Sequence, residues 1–431
     1  MTAEYEMKDS GVEWIGKIPK RWEICRLKMT VKHKNVVTQD STGYIGLENI
    51  QGGSGRFIPS SDDNFKAEGQ ALVIKPGNVI FGKLRPYLAK CYLVQENGCC
   101  SSEFLVLEEA KLKAYYLKYL MLSPSFITEV NMATYGTKMP RANWEIIGNI
   151  RVPYPSLHEQ TAIASYLDDK CSAIDDVIAQ AKETIEEYKS WKASVIFEAV
   201  TKGLDPNVEM KDSGVEWIGE IPKHWNCLKA KRVFQSNKNG IKVGPFGSAL
   251  TNAVVSSDEG TIKIYGQANL IRKDFEYGNN YVTNETYQRL KEYEVLSNDV
   301  LVSMMGTIGK CCVVPTNIIT GIMDSHLIKV RINEKMTPAF FEYIYESQAV
   351  FKQLLFCSKG SIMNGLNSGI VKNVFMTVPP LPEQTAIASY LDDKCSAIDS
   401  IISEKQVLID ELESYKKSLI FETVTGKRRV C

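Results

Sequence analysis

Between Glu159 and about Val200 the chain has neither proline nor glycine, and Ile174, Ile178, Ala181, Ile185, Tyr188, Val195 and Ala199 recur in steps of about four and three. That spacing predicts a helix with a coiled-coil seam, one apolar stripe facing a partner helix. A second stretch repeats it at Ile398, Ile402, Ile409, Leu412 and Leu419, with Lys405 and Lys416 interrupting the stripe. Some 40 residues at about 1.5 Å each make a rod of roughly 60 Å. Each stretch follows a proline-punctuated exit, Val152-Pro153-Tyr154-Pro155 and Val378-Pro379-Pro380-Leu381-Pro382, where a strand ends and a helix can begin.

The rest of the chain alternates short β-rich runs with helical patterns. Ala71–Ile74, Asn78–Phe81, Val300–Ser303 and Cys311–Val314 predict strands, and Ala114–Leu122 and Pro338–Leu355 predict helices. Residues 201–216, with Gly203, Asp205-Pro206 and Ser213-Gly214, have the composition of a linker.

The chain is also an internal repeat. Met7–Trp22 returns at Met210–Trp225, offset by 203 residues with two changes, and Glu159–Asp175 returns unchanged at Glu383–Asp399, offset by 224. Between these blocks the two variable stretches look unrelated, and the second is 21 residues longer. The expected fold is therefore α+β (mixed α/β): two globular domains separated by two long antiparallel coiled-coil helices, related by a pseudo-two-fold axis. In chain order the domains are a prologue (1–22), a first variable domain (23–157), a first spacer helix (158–203), a linker with the repeated prologue (204–225), a second variable domain (226–381), a second spacer helix (382–427) and a tail (428–431).

Composition adds charge. The 51 basic and 51 acidic residues cancel, but not locally. Residues 23–150 carry 15 basic and 12 acidic residues and residues 226–380 carry 17 and 12, whereas residues 159–190 carry 3 and 8 and residues 383–414 carry 2 and 8. Basic heads on acidic rods suit DNA held at two separated places, with the rods turned to protein or solvent. No apolar run approaches the roughly 18 residues of a membrane span, and the N-terminus lacks a signal pattern, so a cytoplasmic protein with no membrane partner is expected. None of the 11 cysteines is spaced C-x-x-C. The adjacent pairs Cys99-Cys100 and Cys311-Cys312 chelate one ion poorly, so reduced, buried thiols and no metal site are expected. Phosphate-cradling, dinucleotide, zinc-protease and nucleophile-elbow motifs are all missing, and His33, His158, His224 and His326 are scattered. No catalytic residue and no bound cofactor are expected.

The prologue G-V-x-W-I-G-x-I-P-x-x-W, the E-Q-T-A-I-A-S-Y-L-D blocks leading into long helices, and the duplicated order resemble the specificity (S) subunit of bacterial type I restriction-modification systems, from Met7 to Gly426. Tyr44–Ile50, Gly82–Leu88, Cys100–Phe104 and Met139–Arg141 look like one target-recognition domain of that family, and Gly306–Lys310 with Ser325–Ile328 like another class. The resemblance implies that each variable domain reads one half of a split site on double-stranded DNA. It also implies that the paired helices fix the gap and dock two methyltransferase (M) subunits, which restriction (R) subunits then join. S-adenosylmethionine, ATP and Mg would belong to those partners, and this chain would be non-catalytic. The alternative is a coiled-coil scaffold whose two α/β heads bind protein or another ligand rather than DNA.

Candidate DNA contacts follow from residue chemistry. Lys138, Arg141 and Asn143 before the first helix exit, and Lys359, Ser361, Asn364 and Asn367 before the second, pair donors for bases with glycines that let backbone approach phosphate. Against this, Asn and Gly also build ordinary turns. Lys83, Arg85 and Tyr87 form a tight basic turn that could equally be a structural hairpin. Lys242, Ser248, Arg272, Lys273 and Lys310 are the candidates in the second domain. Clustering of Lys83, Arg85, Lys138 and Arg141, and of Lys242, Lys310 and Lys359, would favour DNA. Trp14, Trp22, Trp217 and Trp225 are expected to be packing anchors.

Overall fold

The computed structural model describes residues 6–59, 70–134, 139–237, 240–250, 253–255, 261–358 and 365–430, with the backbone alone for Gly247 and Ser248. The chain forms two compact units, residues 1–183 with 405–431 and residues 184–404, so each long helix contributes to both.

The first unit opens with a hairpin, Met7–Asp9 against Lys17–Pro19, whose turn leads to the buried Trp22. Glu23–Arg26 then pairs antiparallel with the exit strand Arg151–Tyr154, closing the head at its base. The main sheet has the order Val31–Lys34, Phe104–Glu109, Val79–Gly82, Cys91–Leu93, antiparallel throughout. Its strand Phe104–Glu109 has Phe104, Leu105, Val106 and Leu107 all buried, as expected for an interior strand covered on both faces. The helices Ala114–Leu122 and Pro124–Met132 share the main core with it. A smaller sheet of Val37–Thr38, Ala71–Ile74, Gly98–Ser101 and Tyr44–Ile45 contains one parallel pair, Gly98–Ser101 with Tyr44–Ile45.

The second unit repeats this plan, which the sequence of the variable stretches did not reveal. Its main sheet runs Ile241–Val243, Leu327–Val330, Val300–Ser303, Cys311–Val313, and its smaller sheet again holds a parallel pair, Ile262–Tyr265 with Gly321–Met323. Even the turn after the parallel strand recurs: Gly46 N–H donates to Asn49 Oδ1 at 2.8 Å and Gly266 N–H to Asn269 Oδ1 at 2.9 Å. The variable stretches are two versions of one head with different side chains.

Two element boundaries differ from expectation. The helix expected over Pro338–Leu355 breaks into Pro338–Glu346 and Gln348–Ser358. Ser347 stands at the break with ψ 157, and its Oγ donates to Ile344 O. The linker is shorter than 201–216, because the first long helix runs Leu157–Lys202 and Met210–Asp212 is already a strand of the second prologue hairpin.

The unchanged blocks make the same contacts in both units. Glu159 accepts from Trp22 Nε1 (2.8 Å) and Arg21; Glu383 accepts from Trp225 Nε1 (2.8 Å) and pairs with His224. Gln160 takes the Lys113 N–H and gives to Pro155 O, and Gln384 does so with Thr337 and Pro379. Asp168 accepts from Tyr119 Oη and Asp392 from Tyr343 Oη, both at 2.6 Å. Trp22 and Trp225 are buried packing anchors, and Trp14 and Trp217 lie against Phe126 and Phe356. Each long helix ends on a left-handed glycine, Gly203 or Gly426, where a side chain would run into Trp225 or Trp22.

The helices pair antiparallel within each unit. In the first, Asp175 meets Lys416 and Lys182 meets Glu413; in the second, Lys192 meets Asp399. Of the seam residues, Ile178, Ala181, Ile185, Ala199, Ile398, Ile409 and Leu419 are buried, and Ile174, Tyr188, Val195, Ile402 and Leu412 are half-buried. Lys416 interrupts the stripe without breaking it, because Asp175 neutralises it across the seam.

Candidate nucleic-acid interface

Two of the sequence candidates in the first head meet through backbone. The turn after Val79–Gly82 lies against the segment before the short helix Trp144–Ile147: Ala142 N–H donates to Lys83 O (3.0 Å), Arg85 N–H to Pro140 O (2.8 Å), and Leu84 bridges Arg141. Arg85 is exposed, with φ 49, a left-handed conformation that costs a non-glycine residue about 1 kcal/mol or more and marks a turn held by its surroundings. Lys83, Arg85 and Arg141 therefore share one surface patch; Lys138 lies outside the described residues.

A residue missed in the sequence sits among them. Glu103 accepts twice: its carbonyl takes the Lys83 N–H at 2.8 Å, and its Oε1 takes Arg141 Nη2 at 2.9 Å, while its own N–H donates to Ser101 Oγ at 3.2 Å. Burial holds the Lys83 ammonium below the usual lysine range, opposed by the charge of Glu103. Burial and the Lys83 charge also lower His33, which stacks on Trp144 with ring centres 5.0 Å apart. The patch is thus cationic, partly desolvated and held in place.

Tyr87 does not join this patch. It lines a cleft of about 510 Å³ with Gln51, Asp175, Lys182 and Lys416, on the helix side of the turn. Asn143 is a helix cap: its Oδ1 accepts the Ile146 N–H at 2.9 Å. Asn367 caps Ser368–Asn373 identically, through Ile370 N–H at 2.9 Å. The structural alternative holds at both asparagines.

In the second head, among the described residues, Lys242 and Lys310 do not come together. Lys242 pairs with Glu292 at 2.6 Å, near an edge strand of the main sheet, while Lys310 precedes the opposite edge strand and faces Glu346 at 3.4 Å. Three strand spacings of about 4.8 Å separate those edges. Lys273 ends the helix Gln267–Arg272 in a left-handed conformation and pairs with Glu342, and Arg272 lies over the Tyr277 ring at 4.2 Å. Glu342 and Glu346 also accept the Val313 and Cys311 N–H groups, so these lysines flank carboxylates that cap a sheet edge. Lys359, Ser361 and Asn364, and the Ser248 side chain, lie outside the described residues.

The fold itself identifies what replaces the first-head patch. Met304 N–H donates to His326 O and Leu366 N–H to Met304 O, at 3.0 and 2.8 Å, the same two bonds that Lys83 makes with Glu103 and Ala142. Met304, His326 and Gly365 thus stand where Lys83, Glu103 and Arg141 stand. Gln267, within the repeated Gly-x-x-Asn turn, reaches Ser303 Oγ and Thr307 Oγ1 at 2.7 Å and fixes the adjoining loop. Phe246, Met304, Ser325 and Ser368 line a cleft of about 460 Å³ beside Lys242. His326 lies in the Ser325–Ile328 run, but nothing in the sequence singles out either it or Gln267, since only backbone pairing relates them to the first head.

The described residues hold no group of three or more His, Cys, Asp or Glu fit for a metal ion, and no helix among them is long and apolar enough to cross a membrane. The described cysteines are free thiols, most of them buried, although Cys357 is exposed.

Several known proteins are similar to this chain. A model of the type I restriction modification DNA specificity domain matches residues 58–187 and 247–412, one stretch in each head running into each helix. The type I restriction enzyme MjaVIII specificity subunit of Methanocaldococcus jannaschii is 24% identical over 398 residues, 87% of this chain and 86% of that protein. The putative MjaX specificity subunit of the same organism is 25% identical over 295 residues, 68% of this chain and 62% of the relative. Among solved structures, a chain from work on complex assembly and conformational transition of the type I R-M system has a TM-score of 0.73 at 19% identity, covering 95% of this chain and 99% of its own. The HsdS subunit from Thermoanaerobacter tengcongensis has 0.52 at 18%, covering 97% and 100%. At such identities the structures establish the shared fold, and the duplicated match supplies the lineage: this chain belongs to the type I restriction modification DNA specificity family.

Proposed function

We propose that this chain is the DNA-sequence specificity subunit of a type I restriction-modification complex. Each head reads one half of a bipartite site on double-stranded DNA, and the paired helices set the gap and dock two methyltransferase subunits, with restriction subunits joining them. Adenine methylation with S-adenosylmethionine, and ATP- and Mg-dependent steps, belong to those partners, and the complex works in the cytoplasm, where the chromosome is. One observation carries the reading. Two heads of one topology present different side chains, Lys83, Glu103 and Arg141 against Met304, His326 and Gly365, at equivalent surface positions. A scaffold with two copies of one head needs no such difference, whereas reading two unlike half-sites requires it, because base edges are told apart by donor and acceptor pattern.

Methylome sequencing of a strain carrying this chain with its cognate methyltransferase tests the reading. The expected result is a split, adenine-methylated motif that disappears when the chain is deleted and changes in one half when residues 23–150 are exchanged. A methylation pattern indifferent to the chain refutes it.

A further inference from the structure

Glu103 is an acid within an otherwise cationic patch. Around it lie Lys83, Arg85 and Arg141. A carboxylate there repels every duplex alike and so works against sequence-independent binding. It is useful only where a particular base repays it, and in the major groove the groups that can do so are the exocyclic amines, cytosine N4 and adenine N6. The carboxylate is also incompletely bonded. Oε1 takes Arg141, while Oε2 is shielded and has no hydrogen-bond partner among the described residues. The side chain is nevertheless 27% exposed, and an oxygen that already takes Arg141 keeps a second lone pair for a donor arriving from outside.

We propose that Glu103, positioned by Arg141, is a specificity-determining residue of the first head and accepts a hydrogen bond from an exocyclic amine of cytosine or adenine in its half-site. The proposal rests on the DNA-reading function above and names its chemistry at one position. The second head has His326 at the equivalent point, so its half-site is read there by an imidazole. The two halves of the motif then differ at corresponding positions because these two side chains differ.

The test uses the full chain co-expressed with its cognate methyltransferase, as wild type, E103Q, E103H and H326A. Methylome sequencing is combined with binding to duplexes carrying each base pair in turn and to an unrelated duplex. In E103Q, discrimination at one base pair of the first half-site falls by about ten-fold or more, the size of one good side-chain to base contact. Affinity for the unrelated duplex stays level or rises as the negative charge goes. E103H changes the preferred base at that same pair, and H326A acts on the other half-site alone. Unchanged discrimination in E103Q and E103H overturns the proposal. So does an equal loss on all duplexes in step with a lower melting temperature, which would make Glu103 a brace for Arg141. If the wild type itself specifies no motif, the parent function fails instead, and that result is read without any variant.

Discussion

Asp175 and Lys416 provide a stability test with its control inside the same chain. Lys416 Nζ lies 2.7 Å from both oxygens of Asp175, and the side chains are 10% and 17% exposed. The 224-residue repeat places an equivalent pair, Asp399 with Lys192, at 2.7 and 2.6 Å, but there the exposures are 58% and 28%. Geometry is matched and burial is not. Removing one partner of a buried pair strands the other charge and costs about 3–5 kcal/mol, whereas an exposed pair contributes about 0–1 kcal/mol. With some solvent reaching it, Asp175→Ala belongs near the lower figure, about 3 kcal/mol, and Asp399→Ala at or below about 1. In a unit of about 200 residues that is a drop of roughly 6–12 °C against a few degrees at most. Arg56, 3.4 Å from Asp175, loses a partner in the same variant, but its side chain is 44% exposed and adds little. Thermal unfolding followed by far-UV circular dichroism measures both. The double variant D175L/K416L should recover most of the loss, since no charge is left buried. Equal shifts for D175A and D399A, or a double variant as weak as D175A, would refute the burial argument.

Three further outcomes are expected. Asn143→Ala and Asn367→Ala should each cost about 1 kcal/mol, the loss of a helix cap, with no change in motif; a changed base in the methylome would restore them as contacts. Lys329 is buried in the central strand Leu327–Val330, and burial lowers its pKa from 10.5 to about 8. Between those values the unfolded chain binds a proton that the folded chain does not, so the Lys329 contribution to stability rises with pH through that window. Below pH 8 the full penalty of the buried charge remains. Wild type should therefore gain on Lys329→Met from pH 8 to 10.5 in denaturant titrations, and a constant difference contradicts the shift. Inserting one heptad in each long helix adds about 10 Å, close to three base pairs, and keeps the seam in phase. The gap in the methylated motif should widen accordingly, and an unchanged gap rules out the helices as its ruler.

The long helices were legible because their signal is local and periodic: no breakers, a steady apolar stripe and unchanged repeats. The strands Ala71–Ile74 and Val300–Ser303 were legible for the same reason, as short apolar runs between turns. What the sequence hid is long-range. Phe104–Glu109 lies between Val31–Lys34 and Val79–Gly82, so Glu103 reaches Lys83 and Arg141 through pairings that no window of sequence contains. Asn143 and Asn367 are ambiguous in sequence because the chemistry that suits adenine, one amide with donor and acceptor, also suits the helix cap that each makes. Lysines of the second head misled because composition counts a charge whether or not Glu292, Glu342 or Glu346 stands beside it.

Why one part of each half should repeat without change while another diverges follows from where the side chains point. Glu159, Gln160 and Asp168 are held by a Trp indole, backbone amides and a Tyr hydroxyl, and Glu383, Gln384 and Asp392 by the matching groups, so a change there removes a hydrogen bond and in most cases strands a buried or part-buried partner. Of the two differences in the prologue, one is at Arg21 and His224, and both still meet the same glutamate. The other, Lys17 and Glu220, is exposed. The turn residues are tied to the fold through backbone: Lys83 and Met304 make the same two bonds although their side chains share nothing. A fold that anchors this turn by main chain leaves the side chains free to vary, and that freedom lets one architecture present two unrelated surfaces at no cost to its core.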